Sequence, residues 1–182
     1  MKECYTEALV LGVRTQGERD RVVEFYTKNL GRIEAKVMGG RKITSKLAPH
    51  LGMGSVVEAR LVFKNQFTLT DVLQKRSVIR DVLEADSEKR FIFDFLKLLY
   101  FLRKMTPIGL PDLNVWHRVE EVALRRSADL KIFLKILGHD VRLAKCDGCG
   151  GEKIRAFQFE DQVFVCGDCL NKNVFNDIVY IH

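Results

Sequence analysis

Apolar and polar residues alternate with a period of two along much of the first 76 positions. Residues 5–13 are rich in β-formers, residues 21–27 follow, and Arg32-Ile33-Glu34-Ala35-Lys36-Val37-Met38 alternates cleanly after an Asn29-Leu30-Gly31 turn. Residues 55–63 and 67–73 form a second pair around Lys64 and Asn65. Runs of this kind, bounded by turn residues, predict strands. Five short strands in this span predict a small closed barrel, and strand number alone fits an OB-type or an SH3-like one.

The period changes near Ser77. Phe91, Phe95, Leu98, Leu99 and Leu102 recur at helical spacing, with Ile92, Leu96 and Phe101 widening the stripe, so this helix is predicted to pack on more than one side. Asp86 or Ser87 is the expected N-cap. The Thr106-Pro107-Ile108-Gly109-Leu110-Pro111 stretch ends it. Asp112 then caps a helix carrying Trp116, Val119, Val122 and Ala123 as far as Arg125 and Arg126, and a third helix over residues 128–137 stops at Gly138. The organisation read from these patterns is a barrel over residues 1–76, a helical domain over 77–145 and a small module over 146–182.

That last module carries the strongest chemical signal. Cys146-Asp147-Gly148-Cys149 and Cys166-Gly167-Asp168-Cys169 are two C-x2-C pairs separated by sixteen residues. Two intervening residues let both sulfurs of a tight turn face one ion, and four thiolates complete a tetrahedral zinc shell. Phe157, Phe159, Val163 and Val165 flank Glu160 and Asp161 like the hairpin of a zinc ribbon. One structural Zn2+ held by Cys146, Cys149, Cys166 and Cys169 is expected. A catalytic zinc would keep an open position and recruit His or carboxylates, whereas the four His are scattered at 50, 117, 139 and 182. His139 is read as a helix-end residue and Cys4 as a small core residue. Redox work would require an exposed, reactive pair.

Charge sharpens the division. The formal net charge of +6 resolves into 15 basic and 8 acidic residues in positions 1–80 against 15 and 16 in the remainder. The whole excess lies on the barrel. Gly39-Gly40-Arg41-Lys42-Ile43-Thr44-Ser45-Lys46 places three cations, two hydroxyls and two Gly on one loop, and Arg14, Arg19 and Arg21 surround another. Cations neutralise phosphates, hydroxyls donate to their oxygens and Gly admits the backbone closely, so these loops are candidate nucleic-acid contacts, with a solvated turn as the plain alternative. The G-x4-G-K-[ST] spacing of a nucleotide-binding P-loop is missing. Tyr26, Phe63 and Phe67 are candidates for base stacking, with core packing the default. The longest apolar run, residues 91–102, is interrupted by Asp94 and Lys97 and is shorter than the roughly 20 residues that span a bilayer. A cytoplasmic, nucleoid-associated protein without membrane partner or small-molecule substrate is expected.

Several stretches resemble the RecO family of bacterial DNA repair and recombination mediators in the RecFOR pathway. They are Ala8-Leu9-Val10-Leu11, Gly17-Glu18-Arg19-Asp20-Arg21-Val22-Val23, Thr27 with Gly31-Arg32, and Gly39-Gly40-Arg41-Lys42 with Ser45-Lys46-Leu47. Phe133-Leu134-Lys135-Ile136-Leu137-Gly138-His139-Asp140-Val141-Arg142-Leu143, running into Cys146-Asp147-Gly148-Cys149-Gly150, adds a second match. The resemblance implies an α+β protein with an N-terminal OB-fold, a helical domain and a zinc-ribbon-like Cys4 module. It implies a non-enzymatic role: binding single- and double-stranded DNA, annealing complementary strands, and helping to load RecA together with RecR and single-strand-binding protein. The DNA-contact candidates carried over are Arg14, Arg19, Arg21, Lys36, Arg41, Lys42 and Lys46. With 13 residues beyond Cys169, a short member is expected. The other readings of the residues are an RNA-binding or ribosome-associated zinc-ribbon module and an enzyme such as a nuclease or thiol oxidoreductase.

Overall fold

β-Branched and aromatic residues on alternating positions favour strands whose apolar face must be covered. A computed structural model describing residues 2–84, 89–172 and 176–181 covers that face by closing the sheet on itself. The strands are β1 (Lys2–Gln16), β2 (Asp20–Thr27), β3 (Gly31–Val37), β4 (Ser55–Phe63) and β5 (Phe67–Ser77), in the closed order β1-β2-β3-β5-β4. All neighbours run antiparallel except β3 and β5, whose parallel pairing of Ala35 with Phe67 and Lys36 with Thr68 completes the barrel. This is the OB arrangement. β1 is long enough to serve both sides: its first half pairs with β4 and its second with β2, and a bulge between Val10 and Gly12 bends it.

The interior holds Ala8, Val10, Val23, Phe25, Ile33, Ala35, Val37, Val57, Ala59, Leu61 and Leu69, all buried. Cys4 and Phe67 pack at its edge, as a small residue and an aromatic at the barrel's ends should. Three helices follow: α1 (Val78–Glu84), α2 (Lys89–Met105) and α3 (Leu113–Arg125). The residues proposed to cap α2, Asp86 and Ser87, lie outside the described residues. Phe91, Phe95, Leu98, Leu99, Phe101 and Leu102 of α2 are all buried, which accounts for its wide apolar stripe. Asp112 caps α3 by accepting from the backbone N–H groups of Asn114 and Val115.

The segment between α2 and α3 is fastened to the outer face of β2 and β3. Gly109 N–H donates to Arg32 O at 2.8 Å, Arg32 Nε donates to Thr106 O at 2.9 Å, and Tyr26 Oη donates to Asp112 O at 3.3 Å. Tyr26 is fully buried and stacks on Trp116 at 6.5 Å. Burial pushes its phenol up to about 12, with the Asp112 charge adding to the shift. Glu24 lies between two guanidiniums, Arg32 Nη1 at 2.9 Å and Arg103 Nε at 2.7 Å, which ties α2 to the barrel.

The chain divides into two compact units, residues 1–127 and 128–182. The first contains the barrel with α1 to α3. The second begins with α4 (Leu130–Ile136), capped by Asp129, and contains β6 (Ile154–Gln158), β7 (Val163–Cys166), α5 (Gly167–Lys172) and β8 (Ile178–Tyr180). The expected hairpin is β6 with β7. β8, which the sequence pattern did not reveal, adds a third strand on the other edge of β6. No helix among the described residues is long and apolar enough to cross a membrane.

Candidate nucleic-acid interface and metal centre

The basic loop is held in place by Asp20. Its Oδ1 accepts the Gly39 N–H at 2.8 Å and its Oδ2 receives Lys36 Nζ at 2.8 Å. Backbone bonds extend the attachment, because Arg41 N–H donates to Arg19 O at 3.0 Å and Arg41 Nη1 donates to Gly17 O at 2.9 Å. Residues 39–46 are thereby fastened to the β1–β2 turn, and the structure brings Arg19, Arg21, Lys36, Arg41 and Lys42 to one end of the barrel. Lys46 lies further along the same loop, and Arg14 stands on β1, bonded to Glu34 at 2.7 Å.

These cations are not equivalent. Lys36 is committed to Asp20 and Arg14 to Glu34, whereas Arg19, Arg21, Arg41, Lys42 and Lys46 form no ion pair among the described residues. Most cations elsewhere on the barrel meet carboxylates: Lys28 and Lys75 bond Glu7, Arg60 bonds Glu3 and Arg32 bonds Glu24. The positive field is therefore concentrated where the two loops meet. Nothing along the chain marks Asp20 as the fastening residue, since between Arg19 and Arg21 it reads only as dilution of their charge.

Lys36, the Gly39 N–H and then Arg19 hold the Asp20 carboxyl below its ordinary 3.8. A depressed carboxyl pKa stabilises the fold above the unfolded-state value and loses that contribution as pH falls through the folded one. The loop attachment is therefore expected to persist through mildly acidic pH and to loosen below 3.8. Asp20→Ala is expected to speed hydrogen exchange at the Gly39 amide at neutral pH, as followed by NMR; unchanged protection would show that the backbone bonds suffice.

Of the aromatics considered for base stacking, Tyr26 is spent on the core. Phe63 is partly exposed and rests against Phe67 at 4.9 Å.

In the second unit the four cysteines converge. One sulfur from each of Cys146, Cys149, Cys166 and Cys169 lies within 4.8 Å of all the others, and none is in a disulfide. A tetrahedral ion with sulfurs at about 2.3 Å separates them by about 3.8 Å; Cys149 Sγ and Cys166 Sγ are 3.6 Å apart. The first pair sits on a turn in which Cys146 N–H donates to Gly151 O and Gly150 N–H to Cys146 O. At Gly148 a Cβ would stand 3.2 Å from Cys169 Sγ, so a side chain there would press on a ligand sulfur. The second pair spans the end of β7 and the start of α5.

Backbone N–H groups already point at sulfur, Cys166 N–H to Cys146 Sγ at 3.3 Å and Cys169 N–H to Cys166 Sγ at 3.4 Å. Burial opposes ionisation of Cys146, yet the backbone N–H groups of Cys166, Cys149 and Gly148 and the Cys166 thiol outweigh it and bring the thiol down to about 6. The neighbouring Cys146, Cys149 and Cys166 push Cys169 up to about 12. Cys146 thus ionises more readily than Cys149 and Cys169, whose thiols are raised, and a bound cation would offset the mutual repulsion of the sulfurs. The donor set fits a metal ion. His139, just beyond α4, packs edge-on against Phe157 at 5.1 Å and lies outside the sulfur group.

Residues 1–78 match the family model described as "Recombination protein O N terminal". A curated protein of Syntrophobacter fumaroxidans named "DNA repair protein RecO" is 39% identical over 161 residues, covering 82% of this chain and 63% of that protein. The chain is thus similar to RecO proteins along most of its length. A protein of the same name from Pelotomaculum thermopropionicum is 25% identical over 187 residues, 93% of this chain and 70% of its own length, and one from Clostridium novyi is also 25% identical over 187 residues. The chain therefore spans about two thirds of the length of these RecO relatives. The family model ends at 78, one residue beyond β5, so it corresponds to the barrel.

Proposed function

We propose that this chain is a RecO-family DNA-binding mediator of repair and recombination that performs no catalytic step and acts through the two joined loops of its barrel. The observation that carries this reading is the group of five cations, Arg19, Arg21, Arg41, Lys42 and Lys46, that have no ion-pair partner among the described residues although carboxylates serve most other barrel cations. Phosphates supply the missing counter-charge. Neutralising two complementary strands lowers their mutual repulsion, which is the physical requirement for annealing them. Co-operation with RecR and single-strand-binding protein in loading RecA completes the reading, in keeping with the family. Arg14 and Lys36 can join in, by exchanging Glu34 and Asp20 for phosphate. The metal is zinc in a closed structural role: four sulfur ligands leave no position for a substrate.

The test is the salt dependence of binding. Arg41→Ala combined with Lys42→Ala is expected to weaken binding to unrelated DNA sequences alike, and to reduce the slope of log K against log salt by about 1.8 on duplex and about 1.4 on single strands. Fluorescence anisotropy between low and moderate salt reads this directly, with RNA of equal length as competitor. Unchanged slopes would exclude the loop as the phosphate site, and preference for RNA would favour an RNA-binding module.

A further inference from the structure

OB barrels present the outer face of their second and third strands to ligands, but here half of that face is covered. Tyr26 and Arg32 lie beneath the 106–112 segment and Glu24 beneath Arg103. What stays open is a cavity of about 190 Å³ between Gly12, Val13, Arg14 and Val22 of the barrel, Met53 of the β3–β4 connection, and Arg103 of α2. It sits beside the joined loops, since Arg14 pairs with Val22 and Val22 with Lys36 across adjacent strands.

The walls have two characters. Val22 and Met53 are apolar, the first buried in the sheet surface and the second 46% exposed. Arg14 and Arg103 provide guanidiniums at the rim, and where β1 bulges, the absence of a side chain at Gly12 admits the Arg103 guanidinium to within 3.9 Å of the position a Cβ would take. The carboxylate at the base, Glu24, does not repel an anion. Both its oxygens are engaged, Oε1 by Arg32 and Oε2 by Arg103, and two guanidiniums on one carboxylate leave a positive surplus. The other acid nearby, Glu34, is half exposed and bonded to Arg14. Such an exposed pair contributes little and yields readily to a phosphate.

We infer that this cavity is a nucleotide subsite for single-stranded DNA, taking one unstacked base against Val22 and Met53 and its phosphate between Arg14 and Arg103. The inference rests on the DNA-binding reading above. Charge complementarity favours this occupant: an apolar face bounded by arginines suits a planar base joined to an anion. A duplex cannot fill it, because a paired base is held in its stack and reaches a concave site only when flipped out. Holding one nucleotide here while the loops take the adjoining phosphates leaves the flanking bases free to pair, so the subsite makes the barrel prefer the strand that remains to be annealed.

The experiment compares the unaltered protein with three variants on labelled oligodeoxythymidylate and on a blunt duplex of equal length. Met53→Glu places a carboxylate in the cavity on a partly exposed connection, and it is expected to lower single-strand affinity about tenfold with duplex affinity kept within twofold. Val22→Asp, on β2, repeats the test from the opposite wall, with thermal melting as the control for folding. Single-strand affinity unchanged in both variants would overturn the subsite, and equal losses on single strand and duplex by folded protein would overturn its preference for an unpaired base. The double variant of Arg41 and Lys42 separates the two readings. If it loses affinity for both DNAs while the cavity variants lose none, only the subsite fails; if it loses nothing, the loop reading fails as well.

Discussion

Gly31→Ala is expected to lower the melting temperature of the barrel unit by about 10 °C, equivalent to roughly 4 kcal/mol for a chain of this size. Gly31 opens β3 at φ +66°, where a side chain crowds its own backbone at a cost of about 1–2 kcal/mol. The larger part is external. A Cβ at this position would stand 2.2 Å from the carbonyl oxygen of Leu110 and 2.8 Å from Pro111 N, distances that only displacement of the 106–112 segment can relieve. That displacement takes with it the Gly109 N–H bond to Arg32 O and the Tyr26 bond to Asp112 O. Gly52→Ala is the control, because a Cβ there meets only Ser55 Oγ at an ordinary 3.5 Å. Differential scanning calorimetry decides the matter, and a shift for Gly31→Ala no larger than for Gly52→Ala would show that the segment is not fastened as described.

Removing the metal is expected to unfold residues 128–182 while the barrel unit keeps its structure. A unit of this size buries little apolar surface, and a structural zinc supplies apparent binding free energies of about 10–16 kcal/mol at neutral pH. The core around the cysteines consists of the buried Cys146, Val165, Cys166 and Cys169, with Ile154, Val163 and Leu170 at its margin, so three of the four ligands are themselves part of the packing they hold together. Cys146→Ser, or prolonged chelation of the unaltered protein, is expected to abolish hydrogen-exchange protection in β6 and β7 and leave β1 to β5 protected. Native mass spectrometry of the untreated protein is expected to find one zinc per chain. Protection retained in β6 and β7 by metal-free protein would remove zinc from the folding of this unit. DNA affinity of the remaining folded barrel is expected to change far less than stability does.

How far the sequence could be read depended on the distance over which each feature is encoded. Strands such as β3 were legible because their period of two is local, and the Asp112 cap because it lies within three residues of the amides it satisfies. The four cysteines were legible because a metal shell imposes its spacing on the chain. The helix α1 was not, as seven residues following directly on a strand show no full apolar period. β8 was missed for a similar reason, being three residues that become a strand only by pairing with β6. At the candidate interface the sequence identified the cations but not their division of labour: nothing local shows that Lys36 belongs to Asp20, sixteen positions earlier, while Arg41 has no carboxylate.

By itself, then, the sequence determined the barrel's strands, the cluster of sulfur ligands and the location of the positive charge, all properties set by neighbours along the chain. Tertiary structure alone decided that Tyr26 packs under Trp116 and does not face a ligand, that Glu24 is shared by Arg32 and an arginine 79 residues away, and that Met53 and Arg103 close a cavity beside the basic loops. The physical reason is that burial and ion pairing depend on which surfaces meet, and closing a barrel beneath three helices brings together residues whose separation in sequence carries no mark of the contact.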